Sequence, residues 1–154
     1  VVTRKQAMDQ MQVALTLPGN AANGQQLFLN LCSQCHQYSD LGVAVGPVLT
    51  EINRKSKASL MHDILDPNAA VNTQYINHRI RTKDGSIYTG IVEKEDDRQV
   101  VLKNMGGQEQ IISKKDIDQF SSMGISLMPE GLEASMQPGD LADLLAFLQR
   151  GEIH

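Results

Sequence analysis

Two cysteines constrain this chain more than any other feature. They stand three residues apart in Leu31-Cys32-Ser33-Gln34-Cys35-His36, and they are the only cysteines among 154 residues. Positions i and i+3 on a helical turn point to one face. Both thiols can therefore reach one macrocycle edge and add S–H across its two vinyl groups. The histidine that follows is then held beneath the metal as the proximal ligand. C-x-x-C-H is the attachment pattern of a c-type haem. With two cysteines and four histidines in the chain, chance produces it in roughly one arrangement in three thousand.

Three other chemistries use these residues less well. A thioredoxin-like pair sits at the end of a strand in a βαβ unit, and no strand pattern precedes Cys32. A zinc site needs further ligands, and the spare His62, His78 and His154 stand in no paired spacing. A disulfide closing so short a loop adds little stability. Composition agrees with haem: aromatics are only 4%, with no Trp. A core this size usually draws much of its apolar volume from rings, and a large apolar cofactor fits the deficit. The net charge of -4 argues against a general affinity for nucleic-acid phosphate. No run of 18 apolar residues exists, so no membrane span is expected. Val1-Val2-Thr3-Arg4-Lys5 lacks the apolar segment of a signal peptide, which implies a removed signal or a piece cut from a longer chain.

Elsewhere the pattern is first helical, then strand-like, then helical again. Residues 4–16 carry Ala7, Met8, Met11, Ala14 and Leu15 at near-helical spacing; this leading helix ends before Leu17-Pro18-Gly19 and reads as a joint to an upstream domain or as part of the fold. Asn23–Phe28 predicts a short helix running into the motif, and Gly42, Gly46-Pro47 and Leu49 a loop after it. Ser59–Leu65 is helical and stops at Asp66-Pro67, because the residue before proline disfavours the α region. From Tyr75 to about Phe120 the period becomes short. Ile76, His78 and Ile80 alternate with polar residues, and Asp84-Gly85 predicts a two-residue hairpin turn. Ile87–Val92, Val100–Leu102 and Gln110–Ile112 follow, with turns at 95–98 and 104–107. Four or five such strands predict a small antiparallel sheet or a tiny barrel. The charged run Glu93–Arg98 reads as a solvated turn rather than a docking patch. A last amphipathic helix opens at Pro138, carries Leu141, Leu144, Leu145 and Leu148 on one stripe, and stops at Gly151.

Around the motif the chain resembles class I cytochrome c. Gly24 and Phe28 precede the cysteines, Gly46-Pro47-Val48-Leu49 follows, and a terminal helix carries Phe147. The resemblance implies that the Pro47 carbonyl accepts a hydrogen bond from the outer ring nitrogen of His36, fixing its tautomer. A longer ordered series is similar to the haem-binding domain at the C-terminus of large secreted bacterial proteins. It comprises Leu27-Phe28 with the motif, Val45-Gly46-Pro47, Ile64-Leu65-Asp66-Pro67-Asn68, Lys83-Asp84-Gly85, Thr89-Gly90, Ser126–Leu132 and Asp140–Leu144. That likeness implies one haem c with its iron per chain, and a bacterial periplasmic or otherwise exported address.

The expectation is thus a mainly α class I cytochrome c fold with an inserted small antiparallel β subdomain, α+β overall. Residues 1–19 form a leading helix and linker, 20–73 and 121–154 the haem domain, and 74–120 the insert. Cys32, Cys35, His36, Pro47 and Met128 bind the haem, with His36 and Met128 on the iron. Pro129 restricts Met128 to extended backbone, which suits a loop ligand, and a thioether favours reduced iron. Met123, Met136, His62, His78, His154 or an open sixth position compete with Met128. The expected function is a single-electron carrier rather than an enzyme. Its partners are a dehydrogenase or upstream domain on one side and another cytochrome or an oxidase on the other. A gas-binding or sensor domain with a labile sixth site is the alternative.

Overall fold

A computed structural model describes residues 1–150; the candidate ligand His154 and the helix stop at Gly151 lie outside the described residues. Helix α1 (Arg4–Met11) opens with a capping box, in which Thr3 accepts from the Gln6 N–H and the Gln6 side chain accepts from the Thr3 N–H. A 3-10 turn continues it over Gln12–Leu15. Helix α2 (Ala21–Leu31) is capped by Asn20, α3 (Lys57–Leu65) by Ser56, and α4 (Pro138–Arg150) begins on a proline. That residue lacks only an N–H which the first turn leaves unpaired in any case.

Helices α2 and α4 cross in close contact. A Cβ at Gly24 would stand 2.0 Å from the Asp143 carbonyl oxygen, and one at Gly19 2.4 Å from that of Ala142. The Asp143 carboxylate accepts from the Asn20 N–H at 2.7 Å and from Asn23 Nδ2 at 2.6 Å, pinning the crossing from outside. Beneath it Phe28, Tyr38 and Phe147 form a ring cluster with centroids 5.4–6.3 Å apart. Helix α1 buries Ala7 and Met11. Its Arg4 guanidinium reaches Glu133 at 2.8 Å and the Leu65 carbonyl at 2.7 Å.

The strands are β1 (Gln37–Tyr38), β2 (Leu41–Gly42), β3 (Ile76–Thr82), β4 (Ile87–Glu95), β5 (Gln99–Lys103), β6 (Glu109–Ser113) and β7 (Ile117–Ser126). The first two form a minimal hairpin where the sequence suggests plain loop. The other five form one antiparallel sheet in the order β6-β5-β4-β3-β7. Ile80, Val100, Leu102 and Ile112 give this sheet a core of its own. Of the charged run, Glu93–Glu95 ends strand β4 and only 96–98 is a turn: Asp96 accepts from the Arg98 and Gln99 N–H groups, and Glu95 pairs with Lys114 at 2.8 Å.

This corrects the expected mainly α class I fold with a small insert. Strands take 27% of the described residues, which form a five-stranded and a two-stranded sheet beside four α-helices, so the fold is α+β. Strand β7 runs to Ser126 along the full length of β3, and the sheet has its own buried cluster. It spans residues 76–126. No described helix is long and apolar enough to cross a membrane.

Candidate functional site

The C-x-x-C-H segment is a turn hung from the end of α2. Helical bonding ends with the Cys32 and Ser33 N–H groups on the Phe28 carbonyl, both at 2.9 Å, and the chain then folds back on itself. The Cys32 carbonyl accepts from the N–H groups of Cys35 at 3.1 Å and His36 at 2.8 Å. The Ser33 carbonyl accepts from Val43, and that of Cys35 from Val45 and Gly46. The Gln34 carbonyl accepts from Gly106, in the β5–β6 turn, at 2.7 Å. All four carbonyls from Cys32 to Cys35 are thus satisfied, and one of the donors comes from the large sheet. Gly42, at φ +78°, lies where a Cβ would fall 2.1 Å from the His36 carbonyl oxygen. No other residue fits there.

His36 Nδ1 lies 2.8 Å from the Pro47 carbonyl oxygen. A carbonyl only accepts, so Nδ1 carries the proton and Nε2 keeps its lone pair. Burial lowers the His36 pKa against the opposing pull of the Pro47 bond, and the neutral ring is the form that binds a metal. Burial pushes the Cys32 thiol up to about 12, with Cys35 adding to it, and raises Cys35 as well. Both sulfurs are therefore protonated thiols at neutral pH, and neither is in a disulfide.

Cys32, Cys35, His36, Pro47 and Met128 all line one cavity of about 350 Å³. Its apolar walls come from three helices, the loop after the motif and one strand: Leu31 of α2, Leu49 and Ile52, Leu60 and Ile64 of α3, Ile91 of β4, and Leu148 of α4. Lys55, Asp63, Asp66 and Asn72 make its polar side. A Cβ at Gly46 would stand 3.1 Å from His36 Cε1, so the backbone itself supports the ring. Two thiols, a neutral imidazole and a thioether around an apolar space form a donor set that suits haem c.

Of the competitors for the sixth position, Met123 is exposed on β7 and Met136 is buried in the helical core. His78 stacks on Phe120 at 5.8 Å, and its Nδ1 lies 3.0 Å from the Ile76 carbonyl oxygen. None of these three lines the cavity, whereas His62 of α3 does. The sequence reading gave no role to Ile91 or to Asn68. The first carries the sheet into the cavity wall. The second accepts from the Ser126 N–H at 2.8 Å, and Ser126 Oγ in turn accepts from the Met128 N–H at 3.1 Å. The one trace of this pair in the sequence is the placement of Asn68 and Ser126 inside the two segments of the family-like series.

The family model described as Cytochrome c matches residues 21–152. No curated protein matches the chain.

Proposed function

The chain belongs to the cytochrome c family, which carries electrons on a covalently attached haem c, and we propose that it does so with His36 and Met128 as the axial ligands. Cys32 and Cys35 would each hold the haem through one thioether, the product of adding S–H across a vinyl group with no change of oxidation state. When bound, the iron supplies a one-electron couple. Burial keeps the His36 ring neutral while its Nδ1 proton is committed to Pro47, so electron exchange needs no proton from the ring. Leu60, Ile64, Ile91 and Leu148 exclude water from the site, and a low dielectric around the couple favours the less charged state.

The observation that carries this reading is the sharing of one apolar cavity by His36, Met128 and both thiols. Each turnover takes one electron from a donor and passes one to an acceptor. The donor is a dehydrogenase or an upstream domain of the same polypeptide, and the acceptor another cytochrome or an oxidase. The setting is the bacterial periplasm or another exported location, where thioethers of this kind are made. Met128→Ala tests the ligand. The variant should lose the Met–iron charge-transfer absorption and drop in potential by on the order of 0.1 V. An unchanged spectrum removes Met128 from the iron.

A further inference from the structure

We propose that Asn68 is a positioning residue that holds Met128 in place through Ser126. The inference rests on the reading of Met128 as sixth ligand. Helix α3 ends at Leu65, Asp66-Pro67 follows, and Asn68 reaches across 58 positions of sequence to the last residue of β7. Its Oδ1 accepts the Ser126 N–H at 2.8 Å, and Ser126 Oγ accepts the Met128 N–H at 3.1 Å.

The two bonds act in series at the point where the strand gives way to the ligand loop. Ser126 is the last β7 residue in register with β3, opposite Ile76. Asn68 takes the N–H of this last ladder residue, and beyond it, where the backbone loses its ladder partners, Ser126 Oγ takes that of Met128. Pro129 then removes the α region from Met128. The loop is thus fixed by a side chain before the ligand, by another at the ligand's own N–H, and by a ring after it. Both Pro67 and Pro129 line the cavity, so the Asn68–Ser126 bond also joins two of its walls. A thioether ligand on a loop stays in place only if ordering the loop costs little, and each fixed backbone group reduces that cost.

The test uses the haem-loaded protein and four variants. In Asn68→Ala the charge-transfer absorption should weaken, and carbon monoxide should bind the ferrous protein about tenfold faster, the effect of one lost hydrogen bond on the loop-open population. Asn68→Asp keeps an acceptor oxygen and should restore slow binding. Ser126→Ala removes only the second bond and should change both readouts in the same direction, which keeps the proposal testable if Asn68→Ala does not fold. A purely structural role would lower the unfolding midpoint and leave both readouts alone. Met128→Ala is the control. If it loses the absorption while Asn68→Ala and Ser126→Ala behave as wild type, the positioning role is wrong and the ligand stands. Should Asn68→Asp react as fast as Asn68→Ala, the acceptor is not what matters and the proposal fails. If Met128→Ala keeps the absorption, the ligand reading fails and the proposal with it.

Discussion

Gly46 lies where the attachment segment passes beside the imidazole, and its backbone is not in the left-handed region. Alanine there is conformationally allowed, so the cost of Gly46→Ala lies in one contact, a Cβ 3.1 Å from His36 Cε1. The ring must tilt or the loop must give by a few tenths of an ångström. With the ring tied to Pro47 at 2.8 Å, tilting strains the axial bond, and the ferric spectrum of Gly46→Ala should acquire a high-spin component. A spectrum identical to wild type would mean that the loop yields instead. At this scale the sequence is most informative about local chemistry. Cys32, Cys35 and His36 are legible because their spacing is itself the reaction geometry. Pro47 is legible only through a family likeness, since nothing in a Gly-Pro pair announces whose proton its carbonyl accepts. Asn68 shows only as a member of the family-like series and Ile91 only as a strand residue, with no sign that either meets the site. Each meets the site through a contact across the fold, and an asparagine after Asp-Pro reads as an ordinary turn residue.

Among the elements, the α2–α4 crossing allows little variation. Gly24→Ala would drive a methyl into the Asp143 carbonyl, 2.0 Å away, with backbone on both sides. Separating the helices should cost about 1–3 kcal/mol, read as a lower midpoint in urea unfolding; an unchanged midpoint would contradict the close crossing. The join between α1 and the helical core carries a pH dependence. Burial opposes ionisation of Glu133, but hydrogen bonds from Arg4 and from its own backbone, with the Arg4 charge, outweigh it and hold the carboxyl below its ordinary 4.5. A depressed folded-state value contributes stability above the unfolded pKa and loses it as pH falls through the folded one. Glu133→Gln should therefore cost about 1 kcal/mol at neutral pH, with the difference from wild type shrinking as pH falls past the ordinary 4.5 and gone once it is below the depressed folded-state value. A difference that persists into acid would assign the effect to packing. Helix positions follow from periodicity and, for α4, from Pro138 at its start. The extent of β7 does not, because an edge strand solvated from Asp118 to Ile125 shows no alternation of buried and exposed positions.

On the scale of the molecule there are two cores, and the sheet reaches the cavity through residues outside its own core. The helical core holds Phe28, Leu65, Leu145 and Phe147, and the sheet core Ile80, Val100, Leu102 and Ile112. The sheet enters the site at three points: Ile91 in the cavity wall, the Gly106 N–H on Gln34, and Ser126 at the head of the Met128 loop. Strand signals are visible in the sequence, but the weight of the sheet is not. Its contribution lies in long-range pairing, β3 with β7 above all, and no local pattern encodes that. The central claim is that both axial positions are held by protein side chains, with the sheet bracing one of them. An absorption spectrum of the ferrous protein before and after addition of carbon monoxide tests it most directly. A low-spin spectrum that converts only slowly on exposure to the gas is the predicted result. Rapid conversion to a carbon monoxide adduct would contradict it, and would make this a protein with an open sixth site.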